Sequence, residues 1–349
     1  MTDQMTRVAL AARPEGAPKL TDFSVETGPI PEMPAGGLLV RVLWQSLDPY
    51  MRGRMDENKS YAAAVGIGDT MEAGCVGELI SSDHPKFAPG DIVEGRFGWC
   101  THAASTGEGV RKVDPSLAPI QTAVGVLGMP GLTAYVGLLD HGRPVEGETL
   151  VVGAATGAVG SVVGQIAKIK GLRVVGVAGG PEKCAFAVEG LGFDACLDHK
   201  AAPDAKALRE QMAAACPDGV DIYFENVGGK TLDAVMPLMN VWGRIPVCGM
   251  ISQYNLGGMG MAGGDGPDRL PKYWRMILVN RLSVRGFIIF DHYDRFRDFQ
   301  RDVSGWIKDG SLKYREHITE GIENGPAAFL QMLEGGNFGK TLVKVAEPT

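Results

Sequence analysis

From about residue 125 onward the chain alternates two hydrophobic patterns. Thr149–Gly153 (TLVVG) is a short, nearly all-apolar run, the pattern of a strand covered on both faces. Ala158–Lys170 follows, with apolar residues at 159, 162, 163, 166, 167 and 169, which is helical spacing. Arg173–Ala178 (RVVGVA) predicts a second strand, Glu182–Gly190 a helix and Ala195–Leu197 a third strand. Asp204–Cys216 predicts a helix ended by Pro217, and Val220–Phe224 a fourth strand. Thr231–Met239 then reads as helix and Arg244–Cys248 as a fifth strand. Such alternation is the signature of an α/β, doubly wound parallel sheet.

The first part of the chain reads differently. Short β runs, Leu38–Trp44, Cys75–Ile80 and Asp91–Glu94, are cut by turn signals at Pro34–Gly37, Ser81–Pro85 and Ala88–Gly90. This predicts an irregular, partly open barrel. After the alternating region come a Gly/Met-rich loop, Gly257–Gly266, a strand at Val284–Phe290 and the charged, amphipathic Tyr293–Lys308. Pro326–Leu333 (helix) and Thr341–Val345 (strand) close the chain. With no linker before it, this tail is expected to pack back on the first domain and make that domain discontinuous.

Composition narrows the class. The 349 residues suit two domains, and the formal charge of −7 gives no electrostatic reason to bind nucleic acid or an anionic membrane. No apolar run approaches a membrane span, and the N-terminus lacks a signal core, so a cytoplasmic protein is expected. Cys75, Cys100, Cys184, Cys196, Cys216 and Cys248 form no CxxC pair and read as reduced thiols in that compartment.

The most informative stretch joins the first predicted strand of the alternating region to its helix. Gly153-Ala-Ala-Thr-Gly157-Ala158-Val159-Gly160 is an AxxGxxG variant of the dinucleotide loop. Gly157 lets the backbone approach a pyrophosphate, and Gly160 lets the helix pack on the strand. The amides at Ala158–Gly160 present the positive end of the helix to phosphate. At the end of the second strand, where NAD sites place an acid, the chain reads Val177-Ala-Gly-Gly-Pro-Glu-Lys183. Lys183 suits the 2′-phosphate of NADP(H).

A catalytic zinc needs a soft ligand set. The GHE triplet of the zinc alcohol dehydrogenases is absent, and the six histidines are scattered. No metal site is expected. Six segments together carry a resemblance: Leu47-Asp-Pro-Tyr-Met-Arg-Gly-Arg54, Val126–Tyr135, the loop to Gly160, Phe224-Glu-Asn-Val-Gly-Gly229, Val247–Asn255 and Gly336-Asn-Phe-Gly-Lys340. The chain resembles the zinc-independent medium-chain dehydrogenases/reductases. Within them it is most similar to the leukotriene 12-hydroxydehydrogenase, prostaglandin reductase and 2-alkenal reductase branch, near its bacterial curcumin-reductase-like members. The resemblance implies a GroES-like β-rich catalytic domain (1–126 and 300–349) and a Rossmann domain (127–299). It also implies NADPH-dependent reduction of the carbon–carbon double bond of α,β-unsaturated ketones and aldehydes, by a homodimer.

By position, the resemblance puts Asn226 near the ribose and His199 near the adenosine phosphate. It puts Cys248, Gly249, Ser252 and Tyr254, with Phe287, Ile288 and Ile289, around the nicotinamide, where Asn337 would reach from the tail. The proton donor departs from part of the family: the position eight residues before Phe287, commonly a tyrosine there, is Val279. The role then falls to Tyr61, Tyr254 or Tyr50, in that order, or to water. An ordinary tyrosine is protonated at neutral pH and suits hydrogen bonding to an enolate. Quinone reduction, allylic-alcohol dehydrogenation and NADPH binding without catalysis are the alternative readings.

Overall fold

The computed structural model describes residues 4–57, 60–256 and 268–349. The Gly257–Gly266 loop lies outside them. The described residues fall into two compact units, one holding 4–128, 254–256 and 316–349, the other 129–253 and 268–315.

The second unit is built on a six-stranded parallel sheet. Its order is Ala195–Asp198, Arg173–Ala178, Thr149–Gly153, Val220–Phe224, Met239–Val247, Ser283–Gly286. The centre strand, Thr149–Gly153, is wholly buried, as its unbroken apolar run requires. The order reverses there, between the neighbours Arg173–Ala178 and Val220–Phe224, which makes the carboxyl end of Thr149–Gly153 the switch point where open α/β sheets bind ligands. The helix Gly160–Ile169 follows, burying Val162, Val163, Ile166 and Ala167. Asp204 caps Ala205–Ala215, its Oδ1 accepting from the Ala207 amide at 2.8 Å.

Two expectations change. Val284–Phe290 is a paired strand only over Ser283–Gly286, because its neighbour ends at Val247, opposite Gly286; the chain then enters the 3-10 turn Ile289–Arg295. Residues 300–315, expected in the first domain, belong to the second unit: the helix Phe296–Lys308 sets Phe299 5.9 Å from the Tyr135 ring, and the Tyr135 hydroxyl donates to Asp302 at 2.7 Å. The helices Met129–Val136 and Leu270–Asn280 were not singled out in the sequence.

The first unit is β-rich. Its seven-stranded sheet runs Glu316–Glu320, Lys340–Lys344, Leu38–Ser46, Gly74–Ser82, Ile92–Arg96, Arg111–Lys112, with His102–Ser105 also paired to Leu38–Ser46. The tail does return: Lys340–Lys344 lies antiparallel to Leu38–Ser46, with Leu342 opposite Ser46. Gln4–Leu10 and Phe23–Pro29 form a separate antiparallel pair. Trp99 stacks on Phe23 at 5.7 Å, and Phe329 of the tail helix Gly325–Leu333 meets both rings edge-on, so the ends of the chain share one core.

Candidate cofactor and catalytic sites

In the second unit, Gly157, Ala158 and Val159 form the turn before the helix, and Gly160 is its first residue. The Gly157 amide donates to the Ala154 carbonyl at 2.9 Å. Ala154, not a glycine, takes the left-handed backbone here, at φ 51°. A Cβ added at Gly160 would stand 2.9 Å from the Ala154 carbonyl carbon and 3.0 Å from the Gly153 oxygen, so the helix comes this close only without a side chain. The amides of Ser161 and Val162 already donate to the Gly157 and Val159 carbonyls at 3.1 Å each, so an anion here would be met by the amides of the preceding turn, Ala158–Gly160.

Around Gly179–Gly180 the structure gathers cations from three segments. Lys183 lies half-buried on the short helix Pro181–Ala185. A Cβ on Gly179 would be 3.0 Å from His199 Nε2 and 3.0 Å from Lys200 Cε. Lys230 donates to the carbonyls of His199 (2.5 Å) and Ala202 (2.7 Å), which fixes that loop. Burial, and then the charge of Lys200, hold Lys183 below the usual lysine range. Burial and then Lys230 hold His199 below the usual histidine range, hence neutral at pH 7. Two acids are close: Glu182, whose charge acts on Lys183 against that lowering, and Asp198, whose Oδ1 accepts from the Gly180 and Lys200 amides at 2.8 Å each and so anchors the loop through backbone. Mutually repelling cations beside a glycine pair fit a 2′-phosphate dianion. Lys200 and Lys230 were missed in the sequence because only the fold brings Lys200 beside residue 179 and Lys230 onto the loop of His199.

Of the remaining candidate residues, Cys248 and Gly249 gather on one buried acid. Glu225 Oε1 accepts from the Tyr223 hydroxyl (2.8 Å), the Val227 amide (2.6 Å) and the Gly228 amide (2.8 Å). Its backbone oxygen accepts from the amides of Cys248 (2.9 Å) and Gly249 (3.1 Å). Burial raises the Glu225 carboxyl, against those side-chain hydrogen bonds. Ser252 Oγ donates to the Val227 carbonyl at 2.5 Å and lies 3.1 Å from where a Gly229 Cβ would be. The Asn226 amide donates to the Gly153 carbonyl at 2.9 Å, so one of its two functions is structural. Burial pushes the Cys248 thiol up to about 12, which leaves it protonated and unreactive. Phe287 packs 4.9 Å from the His141 ring and 6.5 Å from Phe224, ahead of Ile288 and the buried Ile289.

In the first unit, two of the three candidate tyrosines come together. The Arg54 guanidinium lies 4.5 Å from the Tyr61 ring centre and 5.5 Å from that of Tyr50. Tyr61 is 52% exposed. Burial, then Asp48 and Glu72, raise the Tyr50 phenol well above the usual range, against Arg96 and Arg54. Tyr254 lies in the 3-10 turn Ile251–Leu256. Asn337 bonds the Gly339 carbonyl at 2.8 Å. Three residues further on, buried Lys340 donates to the Leu47 carbonyl (2.6 Å) and Asp48 Oδ1 (2.8 Å), and Ser46 donates to the other Asp48 oxygen. The tail therefore holds the turn that carries Tyr50. Lys340 and Asp48 stand in the GNFGK and LDPY motifs, but nothing local shows that they pair.

Among the described residues there is no group of three or more His, Cys, Asp or Glu side chains placed to hold a metal ion. Also among them, no helix is long and apolar enough to cross a membrane.

Two family models match, the N-terminal domain of oxidoreductase over residues 6–113 and the zinc-binding dehydrogenase model over 158–307. An NADPH-dependent curcumin reductase of Escherichia coli is 50% identical over 341 residues, covering 97% of this chain and 96% of that one. Prostaglandin reductase 1 of Rattus norvegicus is 42% identical over 334 residues, covering 95% and 96%. The crystal structure of CurA from Vibrio vulnificus in complex with NADPH superposes with a TM-score of 0.92 at 50% identity, covering 98% of this chain and 100% of that one. The chain thus belongs to the medium-chain dehydrogenase/reductase family, in the branch of the curcumin and prostaglandin reductases, and is an NADP-dependent oxidoreductase.

Proposed function

We propose that this protein is an NADPH-dependent, zinc-independent reductase of the carbon–carbon double bond in α,β-unsaturated ketones and aldehydes. The reading is carried by end-to-end likeness to the curcumin and prostaglandin reductases, and supported by the cation cluster at Gly179–Gly180. Bound NADPH supplies the hydride that adds to the β-carbon. The Gly157–Gly160 loop holds the pyrophosphate, Lys183 and Lys200 the 2′-phosphate, with His199 beside them and Asn226 at the ribose. By the family resemblance, Cys248, Gly249, Ser252, Tyr254, Phe287–Ile289 and Asn337 would be the residues of the nicotinamide site. Negative charge then builds on the carbonyl oxygen, and a phenol O–H of Tyr61, Tyr254 or Tyr50 donates to the enolate, with a proton reaching the α-carbon.

The test is a panel of enones, enals, quinones and allylic alcohols assayed with NADPH or NADP+ in the presence of a strong chelator. Enone or enal turnover is expected. Faster turnover of quinone or allylic alcohol replaces this reading with the corresponding one, and tight NADPH binding without turnover points to a non-catalytic role. Replacing one of the three tyrosines by Phe is expected to lower kcat by roughly tenfold to a thousandfold, as for a lost oxyanion donor, with the NADPH Kd unchanged. Near-normal kcat in all three single variants and the triple variant would give the proton to water or the ribose hydroxyl.

Lys183→Ala is expected to cost about 1.5–3 kcal/mol of NADPH affinity, the value of a charge-assisted contact, and to leave NADH affinity nearly unchanged. Titration with both nucleotides checks this; equal weakening of the two would remove Lys183 from the 2′-phosphate.

The working assembly we propose is a cytoplasmic homodimer formed along the edge strand Ser283–Gly286. That strand is exposed throughout, and the preceding helix Leu270–Asn280 leaves Leu270, Trp274, Leu278 and Val279 in water, Leu278 at 76% exposure. An unpaired strand edge beside an apolar helix face is suited to a two-fold partner. Sedimentation is expected to give a dimer, and Leu278→Arg with Val284→Arg a monomer. A monomeric parent protein at assay concentration would contradict this.

A further inference from the structure

The short helix Met51–Arg54 buries two arginines with different surroundings. Arg52 engages both terminal nitrogens, Nη1 with Asp56 at 2.7 Å and Nη2 with the Gly16 carbonyl at 2.8 Å. It pins one loop to another. Arg54 is 2% exposed, and its Nε is held by Glu72 at 2.5 Å, yet its buried Nη2, like the buried Nε of Arg52, has no hydrogen-bond partner among the described residues. A buried guanidinium with an unmet donor is destabilising, and a residue needed only to fill space there would be apolar. What the cation meets is aromatic: the Tyr61 and Tyr50 ring centres, 4.5 and 5.5 Å from its central carbon. A desolvated guanidinium near an aromatic ring is attracted to it far more strongly than one in water.

We propose that Arg54 is the positioning residue of the Tyr50/Tyr61 pair: a buried cation, clamped by Glu72, that gathers the two phenol rings and favours the negative charge a phenol acquires as it gives up its proton. The inference rests on the reading of these tyrosines as proton donors. In the step concerned, the phenol O–H bond breaks as its proton passes to the enolate, which becomes the neutral ketone or aldehyde. The electron pair stays on the phenol oxygen, the ring centre lying 4.5 Å (Tyr61) or 5.5 Å (Tyr50) from the Arg54 guanidinium carbon, and water then returns the proton. Glu72 fixes the guanidinium from its Nε side. Arg54 also acts, with Arg96, against the upward push that burial exerts on the Tyr50 phenol.

The test is a mutant cycle on the full-length enzyme with an α,β-unsaturated ketone and NADPH. Arg54→Gln is expected to lower kcat by roughly ten- to thirtyfold, the size of a desolvated cation–π contact, with the NADPH Kd unchanged. Arg54→Lys, which keeps the cation but not its planar shape, is expected to recover part of that loss. In the Tyr50→Phe/Tyr61→Phe background the same substitutions are expected to have no further effect, because Arg54 acts through those hydroxyls. If Arg54→Gln does not fold, Arg54→Lys is read in both backgrounds, where its smaller loss must likewise vanish when the hydroxyls are gone. An equal loss of kcat with and without the hydroxyls overturns the proposal and makes Arg54 a purely structural residue. Normal kcat in the double Phe variant overturns instead the assignment of the proton to these tyrosines, and the inference with it.

Discussion

Lys340→Met is expected to lower the unfolding free energy by about 3–5 kcal/mol, the cost of leaving one member of a buried ion pair without its partner. Lys340 and Asp48 are both nearly inaccessible, at 5% exposure each. Lys340 Nζ bridges Asp48 Oδ1 and the Leu47 carbonyl, and Ser46 takes the second Asp48 oxygen, so both carboxylate oxygens have partners. Burial presses the Lys340 ammonium toward its neutral form and Asp48 opposes that. Methionine keeps the bulk of the lysine stem but leaves the Asp48 carboxylate dry and unpaired. Asp48→Asn combined with Lys340→Met removes both charges and is expected to recover part of the loss. Thermal and urea unfolding of the parent protein and the two variants check this. A Lys340→Met protein that unfolds at the parent midpoint would mean that the pair contributes nothing net. Because the turn it holds carries Tyr50, a fall in kcat at a temperature where the variant is still folded is expected as well.

Gly160→Ala is expected to weaken NADPH binding by roughly ten- to a hundredfold, the equivalent of about 1–3 kcal/mol of overpacking at the loop proposed to hold the pyrophosphate. The new Cβ would press on the Ala154 carbonyl and the Gly153 oxygen, both backbone atoms. Backbone cannot swing aside as a side chain can, so the helix must draw back from the strand. Its first amides then leave the place where they serve an anion. Gly305→Ala is the matched control: it lies in the helix Phe296–Lys308, and a Cβ there meets nothing within 4 Å. Nucleotide titration of both proteins checks the expectation. An NADPH Kd within about twofold of the parent for Gly160→Ala would show that the helix can retreat without moving the cradle.

The sequence by itself determined most of the second unit's architecture and the class of its ligand. Thr149–Gly153, Arg173–Ala178 and Val220–Phe224 form strands at their expected bounds, because strands buried on both faces leave long apolar runs. The glycine loop was legible because strand, turn and helix are contiguous in the chain, and Lys183 because it follows the second strand by a few residues. Tertiary structure alone decided the rest. Gln4–Leu10 and Phe23–Pro29 become strands by pairing with each other, and Val284–Phe290 is shortened because its neighbour stops at Val247. The cations proposed for the phosphate side come from residues 183, 200 and 230, while Lys340 meets Asp48 across 292 positions. The character of Tyr50 and Tyr61 depends on a buried Arg54 that composition would place at the surface. Hydrophobic periodicity is a local property and marks elements; a charge takes its role from what surrounds it after folding, and only the fold supplies those neighbours.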